Sequence, residues 1–189
     1  MAKWFDPDNY KYDHQSEFQV EAQINRHLVY LDKNGEGLLC RRSENRYAPD
    51  LDIYGFNYCT LSCGHLALYV EVEVKINNDF SEYPDMPKSW FCWSFLGRKV
   101  DNTSHPFGND DVYLLCNDYP HEKCFWTTFG MIRNHSEKHV RQPKNRNEVY
   151  YRIPKDSKYI IRGYEKLAQY LIRFAKFNKE TAYRQCPPK

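Results

Sequence analysis

Charged and apolar residues alternate in the middle of the chain, and this is its most regular pattern. The alternating run reads Glu71, Val72, Glu73, Val74, Lys75 and Ile76. In a β-strand, side chains at positions i, i+2 and i+4 point to one face of the sheet. The run therefore predicts a strand over residues 66–76, with two carboxylates and one ammonium on one face and apolar side chains on the other.

A second alternating run lies shortly before it. Asp50 and Asp52 alternate with Leu51 and Ile53, which predicts a strand over residues 47–56 with both aspartates on one face. If the two strands are neighbours, three or four carboxylates and one lysine come together. An alternating charged face is also typical of a strand that faces solvent, but that interpretation does not explain the aspartate pair in the preceding run.

Helical periodicity appears toward both ends of the chain. Ser16 and Gln19 have the spacing of a capping box, and apolar residues follow at helical spacing: Val20, Ile24, His27 or Leu28, and Leu31. We predict a helix there, after an irregular segment 1–14. A short helix is predicted over 131–139, and Asp156 with Ser157 predicts the cap of a final helix over 158–178.

The remaining segments predict strands and loops. Further strands are expected over 38–42 and 90–99, and a hairpin over 111–117 and 123–129. Polar connections over 57–64, 77–88 and 141–147 are expected to be loops. The order of elements favours an α+β fold with a mixed central sheet flanked by helices. We expect one domain over residues 1–189, with a basic C-terminal helical segment at about 131–180.

Composition supports a packed domain and reveals a charge asymmetry. The chain has 189 residues, of which 16% are aromatic, and this composition is not typical of a chain that is disordered throughout. Residues 1–132 carry a net charge of −8 and residues 133–189 a net charge of +10. This asymmetry fits a protein that holds cations with one part and a polyanion with the other. It fits a basic surface helix with a solubilising tail equally well.

Cellular location is predicted from what the sequence lacks. No apolar run is long enough to span a bilayer, and residues 1–8 do not have the hydrophobic stretch of a signal peptide. We therefore expect a cytoplasmic protein without a membrane partner. Its seven cysteines are then expected to be free thiols.

Zinc is an alternative use of some of these cysteines. If two connections met, they would supply four ligands from among five side chains: Cys59, Cys63, His65, His121 and Cys124. Their spacing is loose and lacks paired CxxC motifs. Reduced, packed cysteines are the favoured interpretation.

The two alternating runs together indicate a metal site. Ligand sets made only of oxygen suit Mg²⁺, and a lysine beside such a metal can orient or activate a water or offset charge at a phosphate. Pro49-Asp50 followed by Glu73-Val74-Lys75 resembles the motif of the PD-(D/E)XK nuclease superfamily. The resemblance covers residues 15–130 as an order of elements. It departs from the family after Lys75, where members usually place a helix and this chain has a short segment with prolines.

This resemblance implies a fold, an activity and a cofactor. It implies a restriction-endonuclease-like core and a nuclease that hydrolyses phosphodiester bonds with Mg²⁺ or Mn²⁺, on DNA in preference to RNA. Compact members of the family occur in phages, mobile elements, and repair or restriction systems. A catalytically inactive nuclease-like fold that binds nucleic acid or protein is the main alternative. An interaction protein with an aromatic interface is the third, and a homodimer is compatible with cutting both strands.

The resemblance also implies roles for particular residues. Asp50 or Asp52, together with Glu73 and the carbonyl of Val74, would bind the metal, and Lys75 would orient or deprotonate the water. Glu21 on the first helix would add a ligand, directly or through water. Glu71 would be a second-metal ligand or a surface residue, and we favour the surface.

Nucleic-acid contacts are expected from basic residues outside this motif. Arg98 and Lys99, at the end of a predicted strand, would touch a phosphate or lie in solvent. Four basic residues of the C-terminal part are expected to contact the nucleic-acid backbone: Arg141, Lys144, Arg146 and Arg162.

Overall fold

The structure is a computed structural model that describes most of the chain. The described residues are 7–28, 35–43, 49–75, 80, 82–86, 88, 90–102, 107–117, 120–141 and 148–185. No helix within these residues has both the length and the apolar character needed to cross a membrane.

Four helices are present in the described residues. They are α1 (Pro7–His27), α2 (Gly97–Val100), α3 (Phe129–His135) and α4 (Tyr164–Gln185). The prediction that residues 1–14 are irregular is wrong from Pro7 onward, because proline is well tolerated in the first turn of a helix. Ser16 is therefore a buried residue inside α1 and not its cap.

Nine strands form two sheets in the described residues. Their bounds are β1 (Glu36–Arg42), β2 (Leu51–Asn57), β3 (Ser62–Lys75), β4 (Cys92–Leu96), β5 (Val112–Asn117), β6 (Cys124–Thr128), β7 (Glu137–Arg141), β8 (Glu148–Pro154) and β9 (Ile161–Arg162). The larger sheet has the order β1-β2-β3-β5-β6-β9, and the smaller one β4-β8-β7. Strands β3 and β5 pair in parallel and the other neighbours in antiparallel fashion, so the predicted mixed sheet is confirmed.

The large sheet separates two hydrophobic cores. On one face, α1 and α4 pack against alternate residues of the strands, including Val70 and Val72 of β3 and Leu114 of β5. On the other face, the small sheet and α3 cover Tyr113, Leu115 and other side chains of opposite parity. Glu71, Glu73 and Lys75 have that second parity, so the charged face of β3 points toward the small sheet.

The C-terminal part differs from its prediction. It is not one helical segment, because β7, β8 and β9 occupy much of residues 137–162. β-branched and aromatic residues such as Val149, Tyr150 and Ile153 favour a strand, and Ile153 packs in the second core. Gly163, with φ of +87°, allows the turn that separates β9 from α4, so α4 begins at Tyr164 and not near residue 158.

Candidate active site

The candidate site lies where β3 extends beyond its neighbour β2. In the described part of the chain, the β2–β3 pairing ends with Leu51 opposite Val70, whereas the β3–β5 pairing continues to Lys75 opposite Asn117. Residues 71–75 of β3 therefore have a strand partner on the β5 side and none on the β2 side among the described residues. Within that part of the chain, backbone groups on this side of β3 bond to side chains instead of a strand, and we call this side the open edge of β3.

Asp50 bonds to this open edge. Its carboxylate Oδ2 accepts a hydrogen bond of 2.7 Å from the backbone N–H of Val72. A side chain thus bonds to β3 just beyond the point where the β2–β3 backbone pairing ends. In a strand, the backbone groups of residues i and i+2 point to the same side. The carbonyl of Val74 therefore points to the edge on which Asp50 lies.

Lys99 of α2 reaches the same edge. Together with Asp50, Glu71, Glu73 and Lys75 it forms the charged cluster of the candidate site. Its Nζ lies 2.5 Å from Oε1 of Glu71 and 3.9 Å from Oδ2 of Asp50, and it donates a 3.0 Å hydrogen bond to the carbonyl of Val72. Oxygen atoms from three residues thus surround one ammonium. The sequence predicts a strand at Lys99 and favours a surface position for Glu71. The structure differs on both points, because α2 begins at Gly97 and turns Lys99 inward, where it pairs with a buried Glu71.

Glu73 and Lys75 form a second ion pair one step along β3. The Nζ of Lys75 donates to Oε1 of Glu73, and the hydroxyl of Tyr113 donates a 2.5 Å hydrogen bond to Oε2. The Glu73 carboxylate is therefore oriented through both oxygens. Tyr113 comes from β5 and was not foreseen, because its role depends on the parallel β3–β5 register, which the sequence does not indicate.

Burial changes the acid–base properties of this cluster. Burial, opposed by Lys99 and reinforced by Asp50, raises the pKa of Glu71 to about 7. Burial disfavours the charged form of Lys99, but the Glu71 and Asp50 carboxylates outweigh it and raise the pKa of Lys99. Burial and the neighbouring Glu73 raise the pKa of Tyr113 well above its usual value, so its phenol remains a hydrogen-bond donor.

The two other carboxylates expected in the site have different partners. Asp52 lies opposite Tyr69 in the register, and its Oδ2 accepts a 3.1 Å hydrogen bond from the hydroxyl of Tyr54. Glu21 accepts a 3.0 Å hydrogen bond from Nε of Arg42 on β1. Of the two aspartates, Asp50 is the one whose carboxylate bonds to the open edge of β3.

The basic residues are distributed over the molecule. Arg98 is exposed on α2, and Arg162 on β9 borders a surface cleft of about 400 Å³ three strands away from β3. Arg141 ends β7 opposite Glu148 of β8. Lys144 and Arg146 lie outside the described residues.

The β7–β8 strand pair lies beside α2. Leu96 pairs with Tyr150, so the end of the small sheet that carries Arg141 and Glu148 is also the end from which α2 departs. A Cβ on Gly97 would lie 2.8 Å from Val149, which shows how closely α2 packs on β8. The hairpin is therefore next to the helix that carries Lys99.

Metal binding by side chains alone is limited in this structure. Within the described residues, no group of three or more His, Cys, Asp or Glu side chains is arranged to hold a metal ion. For the zinc alternative, Cys59 is exposed and Cys124 is buried, while the side chains of Cys63 and His65 lie outside the described ones. A site with one or two carboxylates, waters and substrate phosphates does not need a third such side chain, and Mg²⁺ is usually bound in that way.

Comparison with known proteins found no relative of this chain. Searches against protein-family models, curated proteins and solved structures each found no match.

Proposed function

We propose that the protein is a Mg²⁺-dependent nuclease of PD-(D/E)XK type that hydrolyses phosphodiester bonds, in DNA in preference to RNA. The observation that supports the proposal is that the Asp50 carboxylate bonds to the open edge of β3 at Val72, between the two glutamates of the charged face. An aspartate and a Glu-x-Lys strand are thereby neighbours, although the turn and strands between them separate the two motifs in sequence.

The donors at this edge fit a hard divalent cation. Asp50 and Glu73 supply carboxylate oxygens and Val74 a carbonyl oxygen, which is the oxygen-only chemistry that Mg²⁺ and Mn²⁺ accept. Bound there, the metal would lower the pKa of a water and offset charge on a phosphate. Glu71 lies one pleat away, where its carboxylate is paired with the Lys99 ammonium.

The protein side chains supply orientation and charge. The Lys75 ammonium contacts Glu73 and would orient the attacking water and offset negative charge at the phosphate. Tyr113 fixes the second oxygen of Glu73, so the carboxylate keeps one direction. Arg141 and the hairpin beside α2 would contact the nucleic-acid backbone near the cut.

Purified protein should cut DNA when Mg²⁺ or Mn²⁺ is added and should stop when the metal is chelated. Circular DNA, linear DNA and RNA, assayed in parallel, would identify the substrate. Lys75→Ala should lower the rate at least about a hundredfold, because it removes the group that orients the water. Its circular dichroism spectrum should remain that of the wild type. Full activity in Lys75→Ala would contradict the proposed mechanism.

A nuclease-like fold that binds nucleic acid without cutting it is the second candidate. It is favoured by the two ion pairs, since Lys75 and Lys99 already neutralise Glu73 and Glu71. Such a protein would bind DNA with an affinity that falls steeply with salt concentration, and it would leave every substrate intact with either metal. Cutting by wild-type protein excludes it.

A further inference from the structure

Lys99 occupies a position that resembles that of a bound cation. Its ammonium is surrounded by the Glu71 carboxylate, the Val72 carbonyl and the Asp50 carboxylate, at 2.5, 3.0 and 3.9 Å. Two of these oxygens lie at the open edge of β3. The Val72 carbonyl belongs to the strand, and the Asp50 carboxylate bonds to it. An ammonium and a divalent metal that share Asp50 would repel each other strongly in this half-buried setting.

We propose that Lys99 is an internal competitor for the metal. In the absence of metal, its ammonium holds the Asp50 and Glu71 carboxylates together. Metal binding at Asp50 and Glu73 requires the ammonium to leave. The inference rests on the proposed function, because it assumes that a divalent cation binds at this edge.

The geometry shows how Lys99 can leave. The contact with Asp50, at 3.9 Å, is the loosest of the three, so Asp50 is the first ligand available to a metal. The Lys99 side chain is 23% exposed and has a flexible four-carbon stem, so in this proposal its ammonium moves into water while α2 stays in place. Close packing of Gly97 against Val149 keeps α2 itself in place.

Lys75 and Lys99 are carried by different elements. Lys75 is carried by β3 itself and contacts only Glu73 among the ion pairs described, so it stays beside the metal ligand when the cluster opens. Lys99 comes from a separate helix and bonds to the carboxylates from outside the strand. The competitor and the proposed catalytic lysine are therefore distinct residues.

Mn²⁺ binding tests the proposal without any nuclease assay. The free Mn²⁺ signal in electron paramagnetic resonance would be titrated with wild type, Lys99→Met and the control Lys166→Met, which removes an exposed lysine of α4 on the opposite side of the sheet. Lys99→Met should bind Mn²⁺ at least about tenfold more tightly than wild type, and Lys166→Met should match wild type. Equal or weaker binding by Lys99→Met would overturn the inference and leave the proposed function standing. Absence of binding by both wild type and Lys99→Met would overturn both.

Lysine acylation provides a second measurement that needs no variant. Mass spectrometry of wild-type protein would compare the acylation rate of Lys99 with and without saturating Mn²⁺, with Lys166 as internal standard. The Lys99 rate should increase several-fold when Mn²⁺ binds, because the ammonium moves to solvent. An unchanged Lys99 rate under Mn²⁺ saturation would overturn the inference even if Lys99→Met does not fold.

Discussion

At the scale of single residues, the site depends on how each carboxylate is neutralised. Glu73 has a lysine and a tyrosine, Glu71 has Lys99, and Asp50 has a backbone N–H. The alternation along β3 correctly predicted that Glu71, Glu73 and Lys75 share a face. It could not predict which lysine pairs with which glutamate, because Lys99 and Tyr113 come from other elements.

The stability of the metal-free protein should depend on the ionisation of Glu71. The pKa of Glu71 in the folded protein is about 7, above the ordinary 4.5. The proton on Glu71 therefore stabilises the folded protein fully below pH 4.5, and this stabilisation is lost as the pH rises through 7. Relative to Glu71→Gln, which cannot ionise, the wild type should lose up to about 3 kcal/mol of unfolding free energy across this range.

Urea unfolding at several pH values in a chelating buffer would measure this difference. Glu122→Gln, which changes an exposed carboxylate, should give an almost constant difference from wild type. If the difference between wild type and Glu71→Gln is also constant with pH, or grows in favour of wild type, the burial of Glu71 has been misjudged.

At the scale of elements, the position of α2 decides where Lys99 lies. The aromatic run over 90–99 predicted one strand, and β4 accounts for its first part. The strand ends at Leu96, and Gly97 of α2 packs against Val149 of β8, which lies about fifty residues later in the chain. Local sequence patterns do not contain such contacts. The antiparallel pair β5–β6 was predicted correctly, since two short apolar runs close together in sequence are a local signal.

Gly97→Ala should destabilise the protein by about 1–3 kcal/mol. The added Cβ would lie 2.8 Å from both side-chain and backbone atoms of Val149, so α2 or β8 must move. Gly108→Ala is the matched control, because its Cβ would be 3.4 Å from the nearest atom, an ordinary contact. Urea denaturation of both variants measures the effect, and equal stabilities would show that α2 is not packed as described.

At the scale of the whole molecule, the fold class was predictable and the layers were not. Strong alternation and helical periodicity indicated a mixed sheet with helices, and the six-stranded sheet confirms it. The second sheet combines β4 with β7 and β8, which lie far apart in sequence, and the short strands of the basic C-terminal part had been interpreted as helix and loop. That sheet pairs β8 with β4, so the end of β8 at Tyr150 lies beside Leu96, the residue before α2.

Manganese in a crystal tests the central claim most directly. Crystals soaked in excess Mn²⁺ would be measured at a wavelength where manganese scatters anomalously. The account predicts an anomalous peak between the carboxylates of Asp50 and Glu73 and the carbonyl of Val74, at about 2.0–2.2 Å from the oxygens, with the Lys99 ammonium displaced. No peak at the open edge of β3, or manganese bound only elsewhere, would contradict it.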